Sequence, residues 1–416
     1  MLRRGVPPPG TMSKTRRISF LVVIVLFNLV VLFFALEIAA RLRNRFVMWR
    51  PFTDPTLGWS TKEYRRFNPA ARPKRPGERR ILVIGDSNLA GAGVRYLEHR
   101  FPVFLDEKTG PDTDVQIIAS AGWGTDQELL AYMQKGKAWD PDIVVLTFAS
   151  FNDLSNNVSH GNRPWTSKPY FTIDPSTDAL RRHAADGTPV PFEIGSPVPY
   201  QRLEIFLLDL MRHGRTVRER EENPYRFAIE DRSRVDERYQ MFGLSTIPKK
   251  QFMANVGELR RVEPELSWSP QKGINVVSAF IHDDFDLNTY QWRLLEHILA
   301  EFRRRVEANG SRFIVMLLPV PFDPANPQTI TGGSFEFEFK TPDGPFTFRA
   351  AEPRERLGAI CARLDIEWFD PTPQFIDIVV SKDMTDACWP FPDDTHFSKV
   401  AHEMLADQLK AYLDEE

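Results

Sequence analysis

The chain has 416 residues, of which 42% are hydrophobic and 26% charged, and its 53 basic and 56 acidic residues leave a formal net charge of −3. This size allows one large domain or two ordinary ones, and the composition excludes a disordered chain. The balanced charge excludes a basic surface that would gather nucleic acid, so no such partner is expected.

Residues 18–40 form the first predicted element, a transmembrane helix. Its 23 residues would extend roughly 35 Å at about 1.5 Å per residue, enough to span a bilayer. A cleavable signal peptide usually has an apolar region of about 7–15 residues, whereas 20–36 alone supplies 17. We therefore predict an uncleaved single-pass anchor in the inner (cytoplasmic) membrane. Residues 1–17 would lie in the cytoplasm and the domain that follows the anchor outside it.

A proline-rich linker is predicted over residues 41–78, followed by one domain over 79–416. Within it, apolar runs at 81–84, 115–118, 142–149, 313–318 and 366–369 predict strands, and helices are predicted at 96–108, 126–137, 287–309 and 398–413. Strands that alternate with helices in this way indicate an α/β fold, a parallel sheet covered on both faces.

Residues of about 155–285 interrupt this alternation and are predicted to be one large insertion. They are rich in Pro, Arg and aromatic residues and contain only scattered helical stretches, at 200–218 and 249–261. A lid or substrate wall and a purely structural elaboration are about equally favoured for this segment.

Polar residues follow the predicted strands and precede the last helix. In parallel α/β sheets such strand ends open into a shared crevice. We expect Ser87 to be a nucleophile, His396 its general base, and Asp393 the carboxylate that fixes the imidazole tautomer. The backbone N–H groups of Ser87 and Gly122 and the side-chain amide of Asn152 would then form an oxyanion hole.

These blocks resemble the SGNH hydrolases, also called GDSL-type esterases. Gly85-Asp86-Ser87 corresponds to the serine block, Gly122 to the glycine block, Asn152-Asp153 to the asparagine block, and residues 393–396 to the Asp-x-x-His block. The resemblance covers roughly 79–155 and 285–416, and the anchor with its linker looks like a membrane-tethered bacterial branch. It implies a flavodoxin-like three-layer α/β/α fold and an acyl-serine mechanism.

Other polar and aromatic residues near these blocks have structural interpretations. Asp86 is expected to hold the turn and Asp153 to cap the following segment. Four aromatic residues that flank the site could stack on a substrate, although core packing is the more common role of such residues: Trp123, Phe151, Trp389 and Phe391. No metal and no cofactor are predicted. Cys361 and Cys388 are either bridged or free, which sequence leaves open.

The sequence thus predicts a serine esterase or deacylase that acts on acyl esters of cell-envelope carbohydrate or lipid. Two alternatives stay open. An O-acyltransferase would pass the same acyl group to an extracytoplasmic polysaccharide, and an inactive envelope scaffold would keep only the fold. The acyl group, the alcohol and the oligomeric state are not specified by the sequence.

Overall fold

The computed structural model describes residues 14–45, 52–54, 56–60, 73–94, 97–150, 152–159, 168–194, 276–320, 336–341, 344–388 and 396–415. Its contacts divide the chain into two units. One holds residues 1–48 and 200–215, and the other holds residues 49–199 and 216–416. Of the first unit only the N-terminal helix is described, and the second contains the central sheet. The predicted helices at 200–218 and 249–261 lie outside the described residues.

Helix α1 (Lys14–Arg45) is long and apolar enough to cross a membrane. Its apolar stretch, Ile18–Leu36, has 19 residues with a mean hydropathy of 3.0, and none of it is buried. Asn28, a polar residue within this stretch, donates its side-chain N–H to the Ile24 carbonyl at 2.8 Å. The helix therefore satisfies this polar group internally, as a lipid environment requires.

Among its described residues, the second unit contains eleven strands and several helices. The strands, numbered in chain order, are β1 (Phe52–Asp54), β2 (Gly58–Ser60), β3 (Arg79–Gly85), β4 (Thr113–Ala119), β5 (Ile143–Phe148), β6 (Tyr170–Ile173), β7 (Leu180–His183), β8 (Arg312–Leu317), β9 (Glu336–Thr341), β10 (Gly344–Arg349) and β11 (Glu367–Phe369). The α-helices are α2 (Ser87–Ala90), α3 (Phe101–Thr109), α4 (Thr125–Gln134), α5 (Asp153–Val158), α6 (Asp286–Ala308), α7 (Glu352–Arg363), α8 (Thr372–Ser381), α9 (Thr385–Cys388) and α10 (Lys399–Asp414).

Five strands form a parallel sheet in the order β11-β8-β5-β3-β4. Alternate residues of each strand face opposite sides. Leu82 and Val144 belong to one core cluster, and their chain neighbours Ile81 and Val145 to the other. Helices α4 and α6 contribute to the first cluster, and α3, α8 and α10 to the second. The predicted flavodoxin-like α/β/α architecture is confirmed.

Differences from the sequence prediction concern short elements. The helix predicted from residue 96 begins at Phe101, after a 3-10 turn at Leu97–His99. Within the predicted linker, Leu57 and Trp59 are buried against the sheet unit, and the Trp59 indole N–H donates to the Ala121 carbonyl at 3.0 Å.

The two cysteines are free and buried. Burial raises the pKa of each thiol to about 12, which makes both poor nucleophiles.

Candidate active site

The order of the strands places the candidate site at the topological switch point of the sheet, where successive strands are added on opposite sides of β3. β3 comes first along the chain but lies between β4 and β5. The carboxyl ends of these three strands lead to Ser87, Gly122 and Asn152. In open α/β sheets this is the position at which a crevice forms.

Ser87 and His396 contact each other although they are separated by 309 residues. The His396 Nε2 atom lies 2.8 Å from the Ser87 Oγ atom, which is the distance of a good hydrogen bond between a hydroxyl and an imidazole. Ser87 is the first residue of α2 and is 8% exposed. In this geometry the imidazole can take the hydroxyl proton, provided that Nε2 is the unprotonated nitrogen.

Gly93 allows the His396 segment to approach the loop that follows α2. A Cβ atom at position 93 would lie 2.1 Å from the Phe397 carbonyl oxygen and 3.0 Å from the His396 carbonyl carbon. Any side chain there would push the histidine segment away. Ser398 caps α10 by accepting from the Val400 and Ala401 N–H groups. The short segment that carries His396 therefore packs against Gly93 and is continuous with the capped start of α10.

Asp86 links the serine block to the asparagine block. Its Oδ2 atom accepts from the Asn152 side-chain N–H at 2.7 Å and lies 3.3 Å from the Ser87 Oγ atom. Its Oδ1 atom accepts from the Asn88 backbone N–H at 2.9 Å, which is the turn-holding role expected from the sequence. Asn152, the third candidate oxyanion donor, therefore stands beside the nucleophile.

Gly122 is held by the helix that follows Asn152. It has a positive φ of 75°, a conformation that favours glycine. The side-chain N–H groups of Asn156 donate to the Gly122 and Trp123 carbonyls at 3.2 and 3.1 Å. On the other side, the Ser120 N–H donates to the Gly85 carbonyl at 3.3 Å, which ties this loop to the end of β3.

The other residues that the sequence singled out have different outcomes. Asp393 lies outside the described residues, as do Phe151, Trp389 and Phe391. Trp123 is fully buried, and its indole N–H donates to the Trp59 carbonyl at 2.9 Å, so it packs in the core. Asp153 is the first residue of α5, and its carboxylate accepts from the Ala149 N–H at 2.7 Å.

A buried group of charged side chains beneath the site was not found by sequence reasoning. Asp126, Glu128 and Lys168 are each 0% exposed, and Lys168 forms an ion pair with Asp126. Burial raises the pKa of Glu128 well above its ordinary value, and the charges of Asp153 and Asp86 add to this effect. Asp126 and Glu128 look in the sequence like the acidic first turn of an exposed helix, so no pattern marks them.

Burial controls the ionisation of the rest of this group. It raises the pKa of Asp153 well above the ordinary value, with the charge of Asp86 as the next cause. It also lowers the pKa of Lys168, although the nearby Asp126 opposes this shift. One cation thus accompanies several carboxyl groups, which favours the protonated forms of Glu128 and Asp153.

No protein-family model and no curated protein matches the chain. Among solved structures, a two-domain esterase active on acetylated mannans, co-crystallised with mannopentaose, is 11% identical over 82% of the chain with a TM-score of 0.34. The chain spans 50% of that structure's length. A second crystal structure is 12% identical with a TM-score of 0.38, and the match covers 82% of this chain and 97% of that one. A third is 11% identical with a TM-score of 0.29, and the match covers 81% of this chain and 98% of that one.

Proposed function

We propose that the chain is an SGNH-type serine esterase that cleaves acyl esters through an acyl-serine intermediate. One observation carries this proposal, the 2.8 Å contact between the Ser87 hydroxyl and the His396 imidazole. A serine hydroxyl is a weak nucleophile at neutral pH, and a base within hydrogen-bond distance is what makes it reactive. The buried position of Ser87 at the switch point of the sheet supports the same role.

Acylation would begin with attack of the Ser87 oxygen on the carbonyl carbon of the ester. The serine proton passes to Nε2 of His396 as the carbon–oxygen bond forms, and the carbonyl oxygen becomes an oxyanion. The N–H groups of Ser87, Gly122 and Asn152 would donate to this oxyanion. His396 then returns the proton to the leaving alcohol, and the acyl group remains on Ser87.

Deacylation would repeat these steps with water as the nucleophile. His396 takes a proton from water, the hydroxide attacks the acyl carbon, and Ser87 leaves with the proton returned by the imidazole. Asp393 is the residue proposed to orient His396, three positions before it in the chain. If a sugar hydroxyl replaced water in this second half, the same site would act as an O-acyltransferase.

The proposed substrate is an acyl ester of cell-envelope carbohydrate or lipid. Helix α1 is apolar enough to anchor the chain in a membrane. We place the anchor in the inner membrane and the sheet unit on its extracytoplasmic side, because a single N-terminal anchor usually leads the following domain across. Envelope polymers and lipids carry the acyl esters that such an enzyme would meet there.

The first experiment measures hydrolysis of 4-nitrophenyl acetate by the full-length protein in detergent. Replacing Ser87 with Ala removes the nucleophile and should lower kcat by at least about 10³-fold, since removal of a nucleophile in such sites abolishes the acyl-enzyme route. Replacing Ser381, an exposed serine at the end of α8, with Ala should leave kcat unchanged and serves as the control.

Unchanged turnover in the Ser87→Ala variant would exclude the proposed mechanism. An oligosaccharide acceptor added to the wild-type assay separates the two catalytic alternatives. Free acetate as the main product indicates an esterase, and an acetylated oligosaccharide indicates a transferase.

A further inference from the structure

Asp86 makes more contacts than holding a turn requires. The residue is fully buried, and its two carboxylate oxygens serve different partners. Oδ1 accepts the backbone N–H of Asn88, whereas Oδ2 accepts the side-chain N–H of Asn152 at 2.7 Å. The Ser87 hydroxyl is farther from Oδ2, at 3.3 Å, than from His396 at 2.8 Å, so the imidazole is its closer acceptor.

The contact with Asn152 decides which end of that amide faces Asp86. A primary amide can present either its nitrogen, a donor, or its oxygen, an acceptor. In the structure the nitrogen faces Asp86, where its N–H donates to the accepting Oδ2 atom. The nitrogen carries two hydrogens, and the second one is then left for a substrate oxygen. A flipped amide would instead present its oxygen, which would repel a developing oxyanion.

We propose that Asp86 is a positioning residue that fixes the orientation of the Asn152 amide, so that an N–H group faces the oxyanion. The proposal rests on the proposed esterase function of the same site. Asp86 acts through Asn152 and does not itself touch the substrate. Its role should therefore appear in kcat, where oxyanion stabilisation is expressed, and little in KM.

Two substitutions separate this role from the capping of α2. In Asp86→Ser the single hydroxyl oxygen can still cap the Asn88 N–H, because serine is a favourable N-cap residue. It then has no second oxygen for Asn152. In Asp86→Asn the oxygen can cap Asn88 while the NH₂ group faces the Asn152 nitrogen. Two donors would then oppose each other, and the Asn152 amide should flip.

The experiment measures kcat and KM for 4-nitrophenyl acetate in the full-length protein, with Asn152→Ala as the reference variant. Asn152→Ala should lower kcat by about 10²–10³-fold, as loss of one oxyanion donor does. Asp86→Ser should lower kcat by about tenfold and Asp86→Asn by about 100-fold, with KM within about threefold of wild type. Asp86→Ser should lower kcat by no more than about twofold in the Asn152→Ala background, because two residues that act as a unit are non-additive.

The control is Asp174→Asn, another buried aspartate whose carboxylate accepts a backbone N–H, that of Ser176 at 2.8 Å. It lies outside the proposed machinery and should leave kcat unchanged. A full tenfold loss from Asp86→Ser in the Asn152→Ala background, or wild-type kcat in Asp86→Ser, would overturn this proposal while the esterase function stands. Absence of turnover in the wild-type protein would overturn the esterase function, and this proposal with it. Asp86→Ser keeps the cap, so it carries the test even where Asp86→Asn fails to fold.

Discussion

Glu128 is a fully buried glutamate in α4, and neither of its carboxylate oxygens has a hydrogen-bond partner among the residues that the structure describes. Asp153, Asp86 and Asp126 add negative charge around it, and Lys168 is the opposing cation. Its pKa is raised in the folded state by burial and by these carboxylates. Its contribution to stability is therefore fully present below the unfolded pKa of about 4.3 and is lost as the pH rises through the folded pKa.

Replacing Glu128 with Gln should make the protein more stable at neutral pH. The amide keeps the shape of the protonated acid and removes the need to hold a proton, so the gain should be at least about 1 kcal/mol at pH 8 and near zero at pH 4. Urea unfolding at both pH values measures it. Glu107→Gln, which changes an exposed glutamate of α3, is the control. A gain that is equal at the two pH values would contradict this account.

At the scale of single residues, the candidate site residues predicted from the sequence are those that belong to recognisable blocks, and the structure brings Ser87 and His396 into contact. Ser87, Gly122, Asn152 and His396 follow strands or precede a helix, and the polar residue types stand out there. The buried group of Asp126, Glu128 and Lys168 was missed because a charged residue is usually exposed. The pairing of Asp86 with Asn152 was also missed, because it depends on two strands being neighbours in the sheet.

At the scale of elements, α10 packs against α3 through a buried histidine. His402 accepts the Phe101 backbone N–H at its Nδ1 atom, 3.3 Å away, and its ring stacks on Phe101 and meets the Phe397 ring edge-on. Burial lowers its pKa to about 3, and the positive charge of Arg100 adds to the shift. The folded state therefore holds His402 neutral.

This interface should make the protein sensitive to acid. Between about pH 6.5 and pH 3 the unfolded chain takes up a proton at His402 that the folded chain refuses, so stability falls by about 1.4 kcal/mol for each unit of decreasing pH. His402→Asn keeps an acceptor near the Nδ1 position but cannot be protonated. Urea unfolding between pH 7 and pH 4 should show a shallower decline for this variant. An unchanged decline would assign the acid sensitivity to other groups.

Long periodic elements were predicted better than short ones. α6 is observed at Asp286–Ala308 against a predicted 287–309, and β5 at Ile143–Phe148 against 142–149. The hairpins β1–β2, β6–β7 and β9–β10 were not predicted, because strands of three to six residues carry too little periodicity to separate them from loops. Trp59 is an example: it lies in a segment predicted to be a linker, yet it is a buried core residue.

At the scale of the whole molecule, the parallel order β11-β8-β5-β3-β4 explains how distant blocks meet. β4 lies on one side of β3 and the later strands β5, β8 and β11 lie on the other, so the carboxyl ends of β3, β4 and β5 are neighbours. His396, which lies just before α10, reaches the same edge of the sheet, 309 residues after the serine. The sequence predicted this fold class because the alternation of strands and helices leaves few topologies.

The central claim is that His396 makes the Ser87 hydroxyl nucleophilic in the folded protein. Labelling with a fluorophosphonate, followed by identification of the modified peptide, tests it most directly, because the reagent captures only an activated serine. The account predicts one label on Ser87 in the wild-type protein, at least about 100-fold slower labelling in His396→Ala, and none in Ser87→Ala. A folded wild-type protein that stays unlabelled, or one that labels at another serine, would contradict it.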